Sequence, residues 1–249
     1  MSMPQPTPDP LDGWTSHPRS LPSLLPPGRK NVKDPEPMKV GSEGMEIPDT
    51  QLVKEVIAYA ERELGMETLN HSMRVYYWGM AIKAQQFPNW QLSPETYLLT
   101  SLLHDIGTTD KNLSGTNMSF EFYGAFLAHK LLHDEHHAPI SQAEAVTEAI
   151  IRHQDVGSSG NITELGSLIQ LATVFDNMGW YKELIHQETV QDVMRHWPRR
   201  GWSACFAGVI RREVGGKPWA NTTRLEKEEE EFSRGVQANE VMRGYEERE

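Results

Sequence analysis

Residues 93–108 read SPETYLLTSLLHDIGT, and the fold follows from how this stretch must behave. Ser93 followed by Pro94 is a helix cap with proline at the first helical position, where its missing N–H costs nothing. Leu98, Leu99, Leu102 and Leu103 give the turns behind it an apolar surface, and Gly107 can stop the helix. The run therefore predicts a buried helix that ends on His104 and Asp105. Two ionisable groups directly behind a buried apolar run are costly unless a metal ion or a partner compensates them.

The same arrangement recurs on either side. Upstream, His71 lies in a stretch predicted helical from Thr68 to about Gln86, through Met73, Tyr76, Tyr77 and Met80. Downstream, LGSLIQLATVFDN at 165–177 places Asp176 on an otherwise apolar helix. Two imidazoles and two carboxylates form a sensible donor set for a divalent cation, because the carboxylates cancel its charge. A helical bundle could bring all four together, which points to a metal site able to activate water.

Helical spacing continues through the rest of the chain. Leu52, Val53, Val56, Ile57, Ala60 and Leu64 follow an Asp49/Thr50 cap. Ser119 is expected to cap a helix from Phe120 to His133. Ser141 with Glu144 fits a capping box that opens a helix ending near His153. Gly157, Ser158, Ser159 and Gly160 read as a loop, and Asn161 with Glu164 opens the helix that carries Asp176. Shorter helices are expected at 188–197 and 202–213, with an acidic one at 224–243. No hairpin signal or strand alternation competes, so the expected class is all-α. Residues 1–47 hold most of the prolines and predict an extended or poorly ordered arm, with 48–249 as the helical catalytic domain.

Composition narrows the partners. The 249 residues carry 35 acidic against 24 basic side chains, a formal net charge of -11, which argues against nucleic acid as a partner. The single cysteine, Cys205, forms no intrachain disulfide and no thiolate metal cage. No apolar run reaches membrane-spanning length and MSMPQPTPDP has no signal-peptide core, so a cytoplasmic protein is expected.

NHSMRVYYWG at 70–79, LLHDIGT at 102–108 and the later Asp176 resemble the HD-domain superfamily of metal-dependent hydrolases, which are helical bundles. MSFEFYGA at 118–125, AEAVTEAIIRHQDVG at 143–157, GNITELGSLIQLATVFDN at 160–177 and KPW at 217–219 resemble the cyanamide hydratases within it. The likeness spans residues 50 to 243, approximately. It implies an HD-type helical bundle in which His71, His104, Asp105 and Asp176 ligate one zinc ion per chain. Iron or manganese suits the same mixed donors. Some relatives in the superfamily hold two metals through further histidines, but 113–126 offers Glu121 and no histidine.

The implied reaction is hydration of the nitrile of cyanamide to urea, by attack of metal-bound hydroxide on the nitrile carbon. Asp105 would take the proton of the water, and His153 would act as general acid or substrate donor, against the simpler reading of a histidine on a helix dipole. Thr108 follows HDIG where many HD phosphohydrolases carry a base, and it reads as a contact for a small neutral substrate. Lys111, Arg74 and Arg152 weigh against that reading, although either arginine could pair with the carboxylates of the site. Glu121 and Asp155 are candidates to orient a ligand and His153. Tyr76, Tyr77 and Trp78 read as core. His133, His136 and His137 read as an exposed turn, and Glu228 to Glu231 as a solvated face. A homo-oligomer is expected. The alternatives are an HD phosphohydrolase acting on a nucleotide and a non-catalytic module stapled by its metal.

Overall fold

The computed structural model describes residues 8–20, 24, 32–157, 159–226 and 231–246. Their helices are α1 (Gln51–Glu63), α2 (Met66–Gln86), α3 (Pro94–Leu103), α4 (Asp110–Ser114), α5 (Phe120–His129), α6 (Ile140–Arg152), α7 (Glu164–Met178), α8 (Gln187–His196), α9 (Trp202–Gly216) and α10 (Glu231–Gln237). The chain is an all-α bundle.

Helix α2 is the axis. Every residue from Asn70 to Ile82 is buried, which is what a helix without a polar face requires. It packs against α3 and α7, so the three chemistry-bearing helices are neighbours. Tyr76, Tyr77 and Trp78 lie in this core. Helix α1 is amphipathic and buries only Val53, Val56 and Ala60, with Thr50 Oγ1 accepting from Val53 N at 3.2 Å. Ser93 caps α3 by accepting from Glu95 N at 3.1 Å, and the helix stops at Leu103, immediately before His104 and Asp105.

Gly107 allows that ending. A Cβ on it would stand 2.0 Å from the carbonyl oxygen of Phe120, at the start of α5. The obstacle is backbone and cannot swing away. Gly107→Ala is therefore expected to cost about 1–3 kcal/mol of stability, as overpacking does. A lowered guanidinium midpoint with unchanged slope would report it, and an unchanged midpoint would refute the close approach.

Several helix ends fall elsewhere than expected. Helix α6 begins at Ile140 behind Pro139, so Ser141 is not its cap. Proline presets the start, and Ser141 Oγ instead accepts from Asp9 N at 3.3 Å. Thr163, not Asn161, caps α7, its Oγ1 accepting from Gly166 N at 3.0 Å. Helix α5 ends at His129 and continues as a wider turn over Lys130–Glu135, closed by His136 N on Leu131 O at 3.0 Å. The helix expected at 224–243 is reduced to Asn221–Arg224, α10 and a last turn at Arg243–Tyr245. The chain leaves α10 because Asn239 donates to Asp176 O at 3.0 Å and accepts from Met242 N at 3.2 Å. Ser158 and Glu228 to Glu230 lie outside the described residues, while Glu231 is exposed.

Where it is described, the proline-rich segment lies against the bundle. Strand β1 (Ser16–Pro18) pairs antiparallel with β2 (Asn161–Thr163), with His17 opposite Ile162. Leu165 N and Glu164 N donate to Gly13 O and Thr15 O, which fixes the arm to the start of α7. Each strand is three residues long, too short for its alternation to stand out in the sequence. Among the described residues no helix is long and apolar enough to cross a membrane.

Candidate metal centre

Three side chains from α2 and the end of α3 meet with their hydrogens turned away. His104 Nδ1 lies 2.8 Å from Ser101 O, and a carbonyl can only accept, so Nδ1 carries the proton. His71 Nδ1 donates to Asp176 Oδ2 at 2.7 Å. In the neutral rings both Nε2 atoms therefore present lone pairs, and they face each other at 3.2 Å. Asp105 Oδ2 lies 3.3 Å from His104 Nε2 and 3.6 Å from His71 Nε2. Both Asp105 oxygens are buried without a hydrogen-bond partner.

Lone pairs converging in a dry interior repel one another unless a cation stands among them. A tetrahedron with metal–ligand bonds of about 2.0–2.1 Å has edges of about 3.3–3.4 Å, close to the separations found here. The donor set thus fits a divalent metal ion, and His71, His104 and Asp105 are the residues that would hold it.

Burial pushes His71 down to about 4, against the pull of Asp176, so the ring is neutral at pH 7. Burial would also lower His104, but the Asp105 charge, helped by the bond to the Ser101 carbonyl, outweighs it and raises its pKa. Burial would raise Asp105, yet His104, followed by His71 and His153, holds its carboxyl below the usual range.

His153 completes the face. Its Nδ1 donates to Ile150 O at 2.7 Å, leaving Nε2 unprotonated 3.7 Å from Asp105 Oδ1. Burial pushes its pKa down to about 4. The ring meets that of His104 edge-on at 5.2 Å. His104, Asp105 and His153 line one cavity of about 230 Å³, together with Thr173, Asn177 and Phe206.

Asp176 corrects the expected ligand set. Its Oδ1 accepts from Arg74 Nε at 2.9 Å and from Trp78 Nε1 at 2.8 Å. Its Oδ2 accepts from Arg74 at 3.0 Å, Arg199 at 3.1 Å and His71 Nδ1. Both oxygens are fully engaged on the side of His71 away from Asp105. The carboxylate fixes the tautomer and orientation of His71, as partners of metal-binding histidines do. That Arg74 could pair with a carboxylate of the site is what the geometry gives.

Three further expectations are corrected. Thr108 Oγ1 donates to the Asp105 carbonyl at 2.7 Å, so its hydroxyl closes a turn instead of facing substrate. Glu121 is buried and raised to about 7 by burial; its Oε1 accepts from Asn221 Nδ2 at 2.9 Å, its Oε2 has no partner, and among the described residues no hydrogen bond joins it to His71, His104 or Asp105. Asp155 pairs with Arg19 at 3.2 Å and Arg224 at 2.9 Å, while His153 takes its orientation from a carbonyl. Lys111 is exposed, and Arg152 pairs with Glu148 at 3.4 Å. His136 binds Glu55 at 2.8 Å, apart from the centre.

Three contributors had no signal in the sequence. Trp202 stacks on His71 at 4.1 Å and 12°, walling off one face of the ring. Arg199, in the irregular WPRRG stretch, is fully buried against Asp176. Trp78 reads as core and is core, yet its indole N–H also binds Asp176.

An HD-domain family model matches residues 68–178, a span within α2 to the end of α7 that holds His71, His104, Asp105, His153 and Asp176. Two proteins of Saccharomyces cerevisiae, cyanamide hydratase DDI2 and cyanamide hydratase DDI3, are each 41% identical over 227 residues, 91% of this chain and 96% of theirs. With the bundle, the His-Asp pair at the end of α3 and near-complete coverage in agreement, the chain belongs to the cyanamide hydratase family of HD-domain proteins.

Proposed function

We infer that this protein is a hydro-lyase that adds water to the nitrile of cyanamide and yields urea, with one zinc ion held by His71, His104 and Asp105. The family supports the reaction. The observation that carries the site is the convergence of hydrogen-free donors beside His153 on a single cavity. Bound there, zinc supplies Lewis acidity that makes hydroxide available near neutral pH.

The residues of the chain handle the proton. Resting His153 Nε2 is an acceptor, because Nδ1–H is committed to Ile150 O. It can take a proton from water as the oxygen bonds to the nitrile carbon. Asp105 Oδ1, 3.7 Å away, stabilises the imidazolium so formed. Charge then develops on the nitrile nitrogen, the proton passes from His153 to it, and the isourea tautomerises to urea. This makes His153 base first and acid second.

The phosphohydrolase reading lacks its cation. Arg224, the cationic side chain among the described lining residues, is bound to Asp155, and Glu231 stands on the same wall. The stapled-module reading requires a closed centre, whereas the cavity reaches His104 and Asp105. The division into an arm of residues 1–47 and a catalytic domain of 48–249, a cytoplasmic location and a homo-oligomer belong to the same proposal. Exposed Phe126 and Trp219 support the last, and sedimentation would test it.

The activity test is urea formation from cyanamide by protein stripped with chelator and reloaded with zinc, iron(II) or manganese. Stripping should remove activity and zinc should restore it. His153→Gln should lower kcat by about 10²–10⁴-fold while bound metal is retained. Urea formed at the wild-type rate by that variant would sink the proton-transfer role.

A further inference from the structure

A second cavity, of about 370 Å³, lies between α7 and the arm, and its described lining includes none of His71, His104, Asp105 or His153. Its size falls within the range of about 300–1,000 Å³ usual for small-molecule sites. Arg19, just after β1, is the charged side chain among its described lining residues.

The Arg19 side chain is only 8% exposed, and one of its nitrogens is used. Nη1 lies 3.2 Å from Asp155 Oδ2 and donates to Ser159 O at 3.4 Å. Among the described residues, Nε and Nη2 are buried without a hydrogen-bond partner. Two unpaired donors on a buried cation are costly. These nitrogens share one edge of the planar guanidinium, the edge that takes a carboxylate through two parallel bonds. Arg74 uses the same edge within this chain, its Nε and Nη2 donating to the Asp176 oxygens at 2.9 and 3.0 Å. Ser167 Oγ, on α7, is likewise buried without a partner and belongs to the wall of the same cavity.

The local charge favours an anion. Arg19, Arg152 and Arg224 gather on Asp155 at 3.2, 3.7 and 2.9 Å, and Arg152 also pairs with Glu148 at 3.4 Å. Three cations against two anions leave one positive charge in excess, on a chain whose net charge is -11. Asp155 keeps Arg152 and Arg224 when Arg19 turns its charge to a ligand. Leu24, Leu171, Val174 and Trp180 also stand in the wall. A bare inorganic anion would leave that apolar surface wet, whereas a ligand with an apolar body covers it.

We propose that this cavity binds a small monocarboxylate with a compact apolar body. Its carboxylate sits on Nε and Nη2 of Arg19, with Ser167 Oγ as a further donor. The site is separate from the metal centre and does not rest on the proposed reaction.

The test is isothermal titration calorimetry of the zinc-loaded full chain with benzoate. One benzoate should bind per chain with a Kd of about 1 mM or tighter. Benzamide, its neutral isostere, and inorganic phosphate should each bind at least tenfold more weakly. Arg19→Met should weaken benzoate binding at least tenfold, and Arg19→Lys, which keeps the charge but loses the fork, nearly as much. Ser167→Ala should weaken it about three- to tenfold, as loss of one hydrogen bond does. Benzoate held equally by wild type and Arg19→Met would place it on the metal and overturn the site. Absence of benzoate binding would overturn it too, as would benzamide or phosphate bound as tightly as benzoate. If Arg19→Met does not fold, Ser167→Ala and the benzamide comparison decide the matter.

Discussion

His104→Ala is expected to lower urea formation from cyanamide by at least about three orders of magnitude, equivalent to about 4 kcal/mol of transition-state stabilisation. His104 Nε2 is the donor nearest to both other members of the centre, 3.2 Å from His71 Nε2 and 3.3 Å from Asp105 Oδ2. Without it two donors remain, too few to hold a divalent ion tightly in a site that also admits substrate. The variant should therefore lose bound metal as well as rate, which elemental analysis of the purified protein would read directly. Removing only a group that orients a ligand usually costs about 10–100-fold, so the size of the loss distinguishes the two roles. Retention of full metal occupancy and wild-type turnover would show that the centre lies elsewhere.

Asp176→Ala should act mainly on the fold. The carboxylate receives five donors from four side chains, and among them Arg74 and Arg199 are fully buried cations. Removing it leaves buried Arg74 without its anion and Arg199 with Glu246 alone. Breaking a buried ion pair from one side costs about 3–5 kcal/mol, a large share of the stability of any domain. Asp176→Asn should be nearly as damaging, because its amide would turn N–H groups towards arginine donors. The guanidinium midpoints of both variants measure this, and a loss below about 1 kcal/mol would contradict the arrangement.

The pH dependence has a definite sign. Burial would raise Asp176, but Arg74 and Arg199, with His71, hold it well below its ordinary 3.8. A depressed carboxyl stabilises the fold fully above that unfolded value, and the contribution is lost as pH falls through the lower folded one. Wild-type stability should therefore fall steeply on the acid side of pH 4, and the Asp176→Asn variant should lack that component.

Much of the centre was legible because burial of charge in an apolar helix is a sequence-level contradiction. LLHDIG and LIQLATVFDN each place a carboxylate where only a compensated one can survive, and that singles out His104, Asp105 and Asp176 without any structure. The pattern could not say which cation compensates which anion. Asp105 faces two imidazole lone pairs and His153, whereas Asp176 faces two arginines. The same local sequence logic therefore served two different purposes.

The helix limits divide in the same way. Local caps such as Ser93 and Thr50 hold because a side chain and a backbone N–H two or three residues away decide them. Ser141 and Asn161 fail as caps because the arm, more than a hundred residues distant, claims Ser141 Oγ and pairs Pro18 with Asn161.

The sequence by itself determined the helical class, the buried His-Asp pair and the residues able to carry metal chemistry, since periodicity and the cost of buried charge act within one helix. Only the tertiary structure decided that Asp176 holds His71 in place rather than joining the centre, that His153 turns its unprotonated Nε2 towards Asp105, and that Trp202 covers His71 while Arg199 backs Asp176. Those outcomes depend on which atoms of separate helices come within about 3 Å, and hydrogen-bond direction at that range is fixed by packing, which no local pattern encodes.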